Sequence, residues 1–209
     1  MPAVYVILGW LLGLLSPQLV DLIQKPYRRA LIKRSLSVEL LELRPKLAAL
    51  VYLLTSQTGD LNRTSIQWIQ KMMGDKKRPD SEMTVAEGLS LYLSFTDEQI
   101  QMATQVRANP RDNLTLHKAT LPFLTSQVTS LSLFSPEFQR LALEIQANLA
   151  VFNQDIDFIS FNFQKTFDSN LSTRNHEALQ TNMETARSSI TQVARQICDQ
   201  ITELLAIAK

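Results

Sequence analysis

The stretch from Ser135 to Phe163, SPEFQRLALEIQANLAVFNQDIDFISFNF, decides the fold class. Its apolar residues recur every three or four positions, which is the period of one helix face and not the alternation of a strand. Ser135, Pro136 and Glu137 supply an N-cap, a proline at the first helical position and an acid in the first turn. The pattern predicts a helix of about 32 residues and ~48 Å. Its inner stripe contains Phe138, Leu141, Ile145, Leu149, Phe152, Ile156, Ile159 and Phe163.

A second long helix is predicted immediately after the turn sequence DSNLST. Its stripe contains Leu179, Met183, Ala186, Ile190, Val193, Ile197, Ile201, Leu204 and Ala208. This pattern predicts about 35 helical residues and ~52 Å. Because the connecting loop is short, we expect the two helices to pack antiparallel, as a hairpin of a bundle with near-heptad spacing.

The middle of the chain also shows helical signals. A leucine stripe runs from Leu36 to Leu54, and Pro45 should kink or divide its helix. Further helices are expected over about 64–73 and from 114 onward, and Thr84 with Glu87 and Thr96 with Gln99 match capping boxes. Only five glycines occur in 209 residues. The sequence therefore predicts an all-α, elongated bundle over 35–209, with a possible linker at 74–82.

The first fifteen residues, MPAVYVILGWLLGLL, carry no charged side chain, and Asp21 is the only charge between Ala3 and Ile23. That length matches the ~20 apolar residues needed to cross a bilayer, so 1–24 is expected to be a transmembrane anchor. Interfacial and buried-core helices are the alternatives. A basic collar follows at 25–34, in which lipid headgroups are the expected ligands. It contains Lys25, Arg28, Arg29, Lys33 and Arg34.

The position of the collar on one side of the apolar run also predicts the topology of the chain in the membrane. Basic residues follow the apolar run and do not precede it, so the bulk of the chain should be cytosolic and the N-terminus outside, in a single-pass protein of the cell membrane.

Gly9, Gly13 and Ser16 share one helix face, where small residues allow a second helix to approach closely. We therefore expect membrane lipid and a protein partner or a second copy of the chain as partners, giving a homo-oligomer.

Composition and motifs exclude several classes of function. After residue 34 acidic residues slightly outnumber basic ones, so nucleic acid is not an expected partner. The single cysteine, Cys198, fits a reducing compartment and falls on an apolar stripe, which predicts a buried thiol. No phosphate-binding loop, catalytic serine motif or zinc motif is present. His117 and His176 lack a carboxylate three residues earlier, so no metal, cofactor or catalytic residue is predicted.

Two features suggest a partner face on the long hairpin. Phe158 and Phe161 do not fit the inner stripe of the first helix, so they are expected either between more than two helices or in an exposed binding site. Gln192 and Gln196 belong to an uncharged polar face of the second helix, which serves either a partner or solvent equally well.

These observations support two hypotheses of function. The first is a membrane-anchored, non-catalytic helical scaffold or interaction protein that associates with itself. The second is a membrane-tethered enzyme or membrane-acting effector, whose site is assembled from side chains that a single sequence does not identify. A pocket lined by clustered ionisable groups would favour the second, and a sealed core with an exposed Phe or Gln face would favour the first.

Overall fold

The computed structural model describes residues 2–74, 85–109, 115–168 and 171–208, and it describes side chains from Gln24 onward, except Val85 and Ala86. Within these ranges there are helices and no strands, so the predicted all-α class is confirmed. The helices are α1 (Pro2–Thr58), α2 (Arg63–Met73), α3 (Val85–Leu93), α4 (Asp97–Arg107), α5 (Pro122–Ser126), a 3₁₀ helix (Val128–Leu133), α6 (Pro136–Lys165) and α7 (Thr173–Ile207).

The long hairpin forms as the sequence predicts. Ser135 accepts a hydrogen bond from the Phe138 amide at the start of α6, and Ser172 caps α7 in the same way. Across the pair, Ser189 donates to Asp155 at 2.7 Å and Asn148 donates to Gln200 at 2.9 Å. Residue numbers therefore rise along α6 as they fall along α7, and the two helices are antiparallel.

The inner stripes of α6 and α7 pack against α1 in one apolar core. Ile145 and Ile197 are both completely buried, which confirms their predicted core positions. Their contacts extend to the leucine stripe of α1, where every residue from the predicted pattern except Leu50 is buried. The largest fully buried side chains of the three helices include Leu36, Leu40, Leu141, Ile145, Phe152, Ile190 and Ile197.

Helix α1 is a single element of 57 residues, so Pro45 does not divide it, and the alternative expectation of a kink there stays a prediction. A proline removes one backbone donor and clashes with the carbonyl one turn earlier, at a cost of about 3 kcal/mol. Leu43, Leu47 and Val51 are buried on either side of it, and their packing holds the helix together across this point. The predicted anchor, the collar and the first bundle helix are consequently parts of one helix, although their bounds as domains stay a prediction.

The predicted membrane localisation is contradicted. In the part of the chain that the structure describes, no helix is both long and apolar enough to cross a membrane. The strongly apolar run from Ala3 to Leu15 covers only about 20 Å as a helix, which is shorter than the ~30 Å hydrocarbon layer. It also does not stand apart, since the same helix continues through Asp21 and the basic collar into the core. The transmembrane helix over 1–24 and the single-pass topology therefore have no support.

Three shorter helices close one end of the core. Asn62 caps α2, and Arg63 donates to Asp97 at 2.6 Å and to the carbonyls of Leu93 and Phe95, which ties α2 to the junction of α3 and α4. The capping box of Thr96 and Gln99 is confirmed. In α2, Ile66, Ile69 and Met72 are buried.

The helix predicted from residue 114 onward is wrong in extent. Residues 115–121 have no regular secondary structure, and only the five-residue α5 and the 3₁₀ helix follow. Tertiary hydrogen bonds account for this difference. The Asn153 amide bonds both the N–H and the carbonyl of Ala119, at 2.9 and 2.8 Å, and Glu39 accepts the amides of Phe123 and Leu124. Side chains of α1 and α6 thus satisfy backbone groups that a longer helix would have paired internally.

The predicted linker at 74–82 falls, apart from Gly74, outside the described residues, as does Thr84 of the first capping box. Gly74 ends α2 with a positive φ of 64°, a conformation that favours glycine.

A charge on the inner stripe of α7 should destabilise the protein strongly. Ile197→Asp buries a carboxylate that has no partner, so we expect the free energy of unfolding to fall by roughly 4 kcal/mol or more. The matched control is Gln196→Asp, one residue away on the exposed side, with an expected change within about 0.5 kcal/mol. Urea denaturation followed by circular dichroism measures both. Equal stability of the two variants would show that the stripe is not internal.

Candidate functional site: the outer face of α6

Helix α6 has a second apolar stripe on the side away from the core. It consists of Leu143, Ala147, Val151, Gln154, Phe158 and Phe161, at steps of 4, 4, 3, 4 and 3, and we call it the outer face. All six side chains are exposed. The exposed fractions of the four large apolar residues are 46% for Leu143, 45% for Val151, 44% for Phe158 and 56% for Phe161. The face is about 27 Å long at 1.5 Å per residue.

The outer face contains no charged residue over this length, whereas the solvent side of a surface helix usually carries charges. The aromatic end is also well ordered by its neighbours. The buried Asn162 side chain donates to the carbonyl of Phe158 at 2.7 Å, and the ammonium of Lys165 lies 4.6 Å from the centre of the Phe161 ring. Contiguous exposed apolar surface on a rigid helix is typical of a protein-binding site.

The expected burial of Phe158 and Phe161 between more than two helices is wrong, whereas the alternative, an exposed binding site, stays a prediction. Both rings are exposed, so neither is packed among additional helices. Gln192 and Gln196 are exposed on α7. Because Ser189 pairs with Asp155 and Gln200 with Asn148, the two glutamines lie level with residues 149–153 of α6, one to two turns from Phe158. They therefore flank the middle of the outer face and do not adjoin its aromatic end.

The basic collar is split between different environments. Arg28 donates to the Ser130 hydroxyl at 3.2 Å, and the Arg29 guanidinium lies 5.5 Å from the centre of the Phe134 ring. Lys25, Arg29 and Lys33 line an open groove of about 620 Å³ beside the 3₁₀ helix, while Arg34 is exposed on the other side of α1. These contacts fix α1 to the 3₁₀ helix, and lipid headgroup binding by the collar stays a prediction.

The predicted association site at Gly9, Gly13 and Ser16 has a helical backbone within α1. The surroundings of these residues lie outside the described side chains, so association through them stays a prediction as well.

The larger groove lies between α1 and the irregular segment 115–121. It has a volume of about 770 Å³, an apolar floor that includes Leu47 and Phe152, and a rim that includes Glu42, Lys46 and His117. Other polar groups beside it are already engaged, because Lys118 pairs with Asp157 at 2.7 Å and Glu39 caps α5. The groove can accept an amphipathic molecule.

Ionisable side chains elsewhere in the described chain are dispersed. No three His, Cys, Asp or Glu residues among those described are placed to hold a metal ion. Asp155 bonds Ser189 on α7, whereas Asp157 pairs with Lys118, so these two carboxylates point to different neighbours, as their spacing predicts.

Cys198 is buried, as the sequence predicts, and its thiol faces the Arg44 carbonyl at 3.5 Å. Burial raises the pKa of the Cys198 thiol to about 12, and the nearby carboxylate of Asp199 adds to this effect while Arg44 opposes it. A thiol in this environment is protonated at neutral pH and is not activated as a nucleophile.

Comparisons with protein-family models, with curated proteins and with solved structures found no match to this chain.

Four residues of the outer face were not among the predicted site residues, namely Leu143, Ala147, Val151 and Gln154. A signal for them exists in the sequence, since a second apolar repeat runs beside the inner stripe of the same helix. The inner stripe alone accounts for a helix of a bundle, so the additional repeat is the feature that indicates a further contact.

The Cys198 thiol should resist modification until the protein unfolds. A rise in pKa from 9.0 to about 12 lowers the thiolate fraction at pH 8 by about 1000-fold relative to an unfolded chain, and burial blocks access further. We expect the native protein to react with an aromatic disulfide reagent at least about a hundredfold more slowly than the protein in guanidinium.

The raised pKa of Cys198 also determines whether the stability of the protein rises or falls with pH. Between about pH 9 and 12 the unfolded chain loses the Cys198 proton and the folded chain keeps it, so this thiol lowers stability as pH rises through that window. Cys198→Ala should weaken the alkaline loss of stability. For the labelling prediction above, rapid reaction of the native protein at pH 8 would be the contrary result, because it would show that the thiol is accessible.

Proposed function

We propose that the protein is a non-catalytic helical interaction protein, and that it binds another protein through the outer face of α6. The observation that carries the proposal is the exposed, uncharged apolar stripe of about 27 Å on the helix that also forms the core. Apolar side chains in such a stripe lose contact with water only when a partner covers them. A partner that presents its own apolar helix face fits this geometry best.

The preference for this face over other surfaces rests on charge. Helix α1 also exposes apolar residues, at Tyr27, Leu31, Val38 and Leu41, but Arg34 lies in the middle of that stripe and would have to be paired or desolvated on binding. The outer face of α6 has no charged residue between Leu143 and Phe161, and its charged neighbours, Arg140 and Lys165, lie beyond its two ends. Its rim is polar but neutral at Gln192 and Gln196, which can hydrogen-bond to a partner at little desolvation cost.

A catalytic function has weaker support. The groove between α1 and residues 115–121 is a candidate site for a small molecule, and two of its polar groups, Lys118 and Glu39, are engaged in holding the fold. No observation in the described part of the chain favours a particular reaction, so we do not propose one.

Site-specific photo-crosslinking tests the proposed binding face. A benzophenone amino acid replaces Phe161 in the full chain expressed in its source cells, and the matched control places it at the exposed Met102 of α4. We expect a discrete covalent adduct of defined mass at position 161 after irradiation and none at position 102. Gln154 serves as a second position on the same face.

The adduct should persist when the cells are lysed and irradiated in high salt, because apolar contacts are not screened. Absence of a discrete adduct at both 154 and 161, or the same adducts at 102, would contradict the proposed function.

A further inference from the structure

The outer face of α6 is complementary to itself when two copies run antiparallel. The six residues form three pairs, namely Leu143 with Phe161, Ala147 with Phe158, and Val151 with Gln154. The midpoints of the three pairs along the sequence agree within half a residue and lie between Phe152 and Asn153. An axis at this point, perpendicular to α6, would therefore place all six residues opposite one another in a second copy. A two-fold interface requires such a self-matching arrangement, because every contact must occur twice.

From this arrangement the geometry points to a second copy of the same chain as the partner, with the two α6 helices paired antiparallel through their outer faces. This inference rests on the proposed function, since it names the occupant of the same surface. It also names the contacts, in which each Phe158 ring packs over Ala147 of the other copy and each Phe161 packs against Leu143.

The sizes of the side chains favour the antiparallel arrangement over the parallel one. In a parallel pair, Phe158 and Phe161 would meet their own copies at one end and Ala147 would meet Ala147 at the other. The distance between the helix axes depends on the side chains at the contact and ranges from about 8 to 10 Å. In a parallel pair the phenylalanines would hold the helices apart at one end, and the alanines would leave unfilled space at the other. Antiparallel pairing places a large side chain opposite a small one and keeps the distance even.

The size of the face sets the strength of the association. A strip of about 27 Å by one helix width of ~10 Å is smaller than the ~800 Å² per partner of a standard interface. The polar rim at Gln192 and Gln196 adds to this area because α7 lies beside α6. We therefore expect a reversible equilibrium between monomer and dimer and not a permanent dimer.

Sedimentation velocity of the purified full chain tests whether a second copy of the chain binds the outer face. Between about 1 µM and 500 µM, a range that suits an interface of this size, the sedimentation coefficient should rise from that of a monomer to that of a dimer. Phe158→Lys should keep the chain monomeric at all concentrations. Val151→Lys should do the same, and agreement of the two variants excludes a folding defect specific to one. Met102→Lys, a substitution at an exposed position away from the face, should leave the equilibrium unchanged.

Pulsed electron paramagnetic resonance tests the orientation. Gln164→Cys carries a spin label at the exposed end of α6. The buried Cys198 should not react, and labelling of the unmodified chain serves as the control. In the antiparallel dimer the two labels are separated by 23 residues along the helix axis, or about 35 Å. In a parallel dimer they would lie within about 15 Å.

The outcomes separate this inference from the proposed function. A concentration-dependent dimer with labels near 35 Å supports it. A dimer with closely spaced labels overturns the antiparallel pairing. A monomer at every concentration, combined with an adduct to a different protein in the crosslinking experiment, overturns self-association and leaves the proposed binding face intact. A monomer combined with no adduct at positions 154 and 161 overturns both.

Discussion

Burial of the inner stripe of α6 against α7 and α1 is the contact on which the rest of the structure depends. Phe152, Ile145 and Ile197 have almost no exposed surface, and each lies in the middle of a long helix. Full burial of one such side chain contributes about 1.5 to 3 kcal/mol, so together these stripes supply most of the driving force for folding. The direction of α6 is consequently fixed, and whatever lies on its opposite side must face outward.

Polar contacts then set the register of the helices. Asn148, Gln200 and Glu144 form a hydrogen-bonded chain between α6 and α7, with Gln200 nearly buried. A shift of one helix along the other would leave these groups without partners, at a cost of about 1 to 3 kcal/mol each. The same register carries Gln192 and Gln196 to the edge of the outer face. Its apolar residues are thus displayed on a rigid helix, and a partner would not have to pay for ordering them.

Sequence periodicity was sufficient for the elements that bury one continuous stripe. The lengths of α6 and α7, the N-cap of α6 at Ser135 and the antiparallel packing of the two helices follow from local patterns alone. It was insufficient where tertiary contacts override local preference. Segment 115–121 is not helical because Asn153 bonds the backbone of Ala119 and Glu39 bonds the amides that begin α5, both from far away in sequence. Helix α1 continues past Pro45 because Leu43 and Leu47 are buried around it. The exposure of Phe158 was undecided from sequence for the same reason, since it depends on which helices surround α6.

The central claim is that α6 carries two apolar faces, one that fills the core of its own chain and one that a second copy covers. Hydroxyl-radical footprinting of the full chain, read by mass spectrometry at low and high protein concentration, tests both halves together. Oxidation of Phe158 and Phe161 should fall as concentration rises, oxidation of Met102 should stay constant, and Phe152 should be protected throughout. Equal oxidation of Phe152 and Phe161 in the folded monomer, or oxidation of Phe161 that does not change with concentration, would contradict the account.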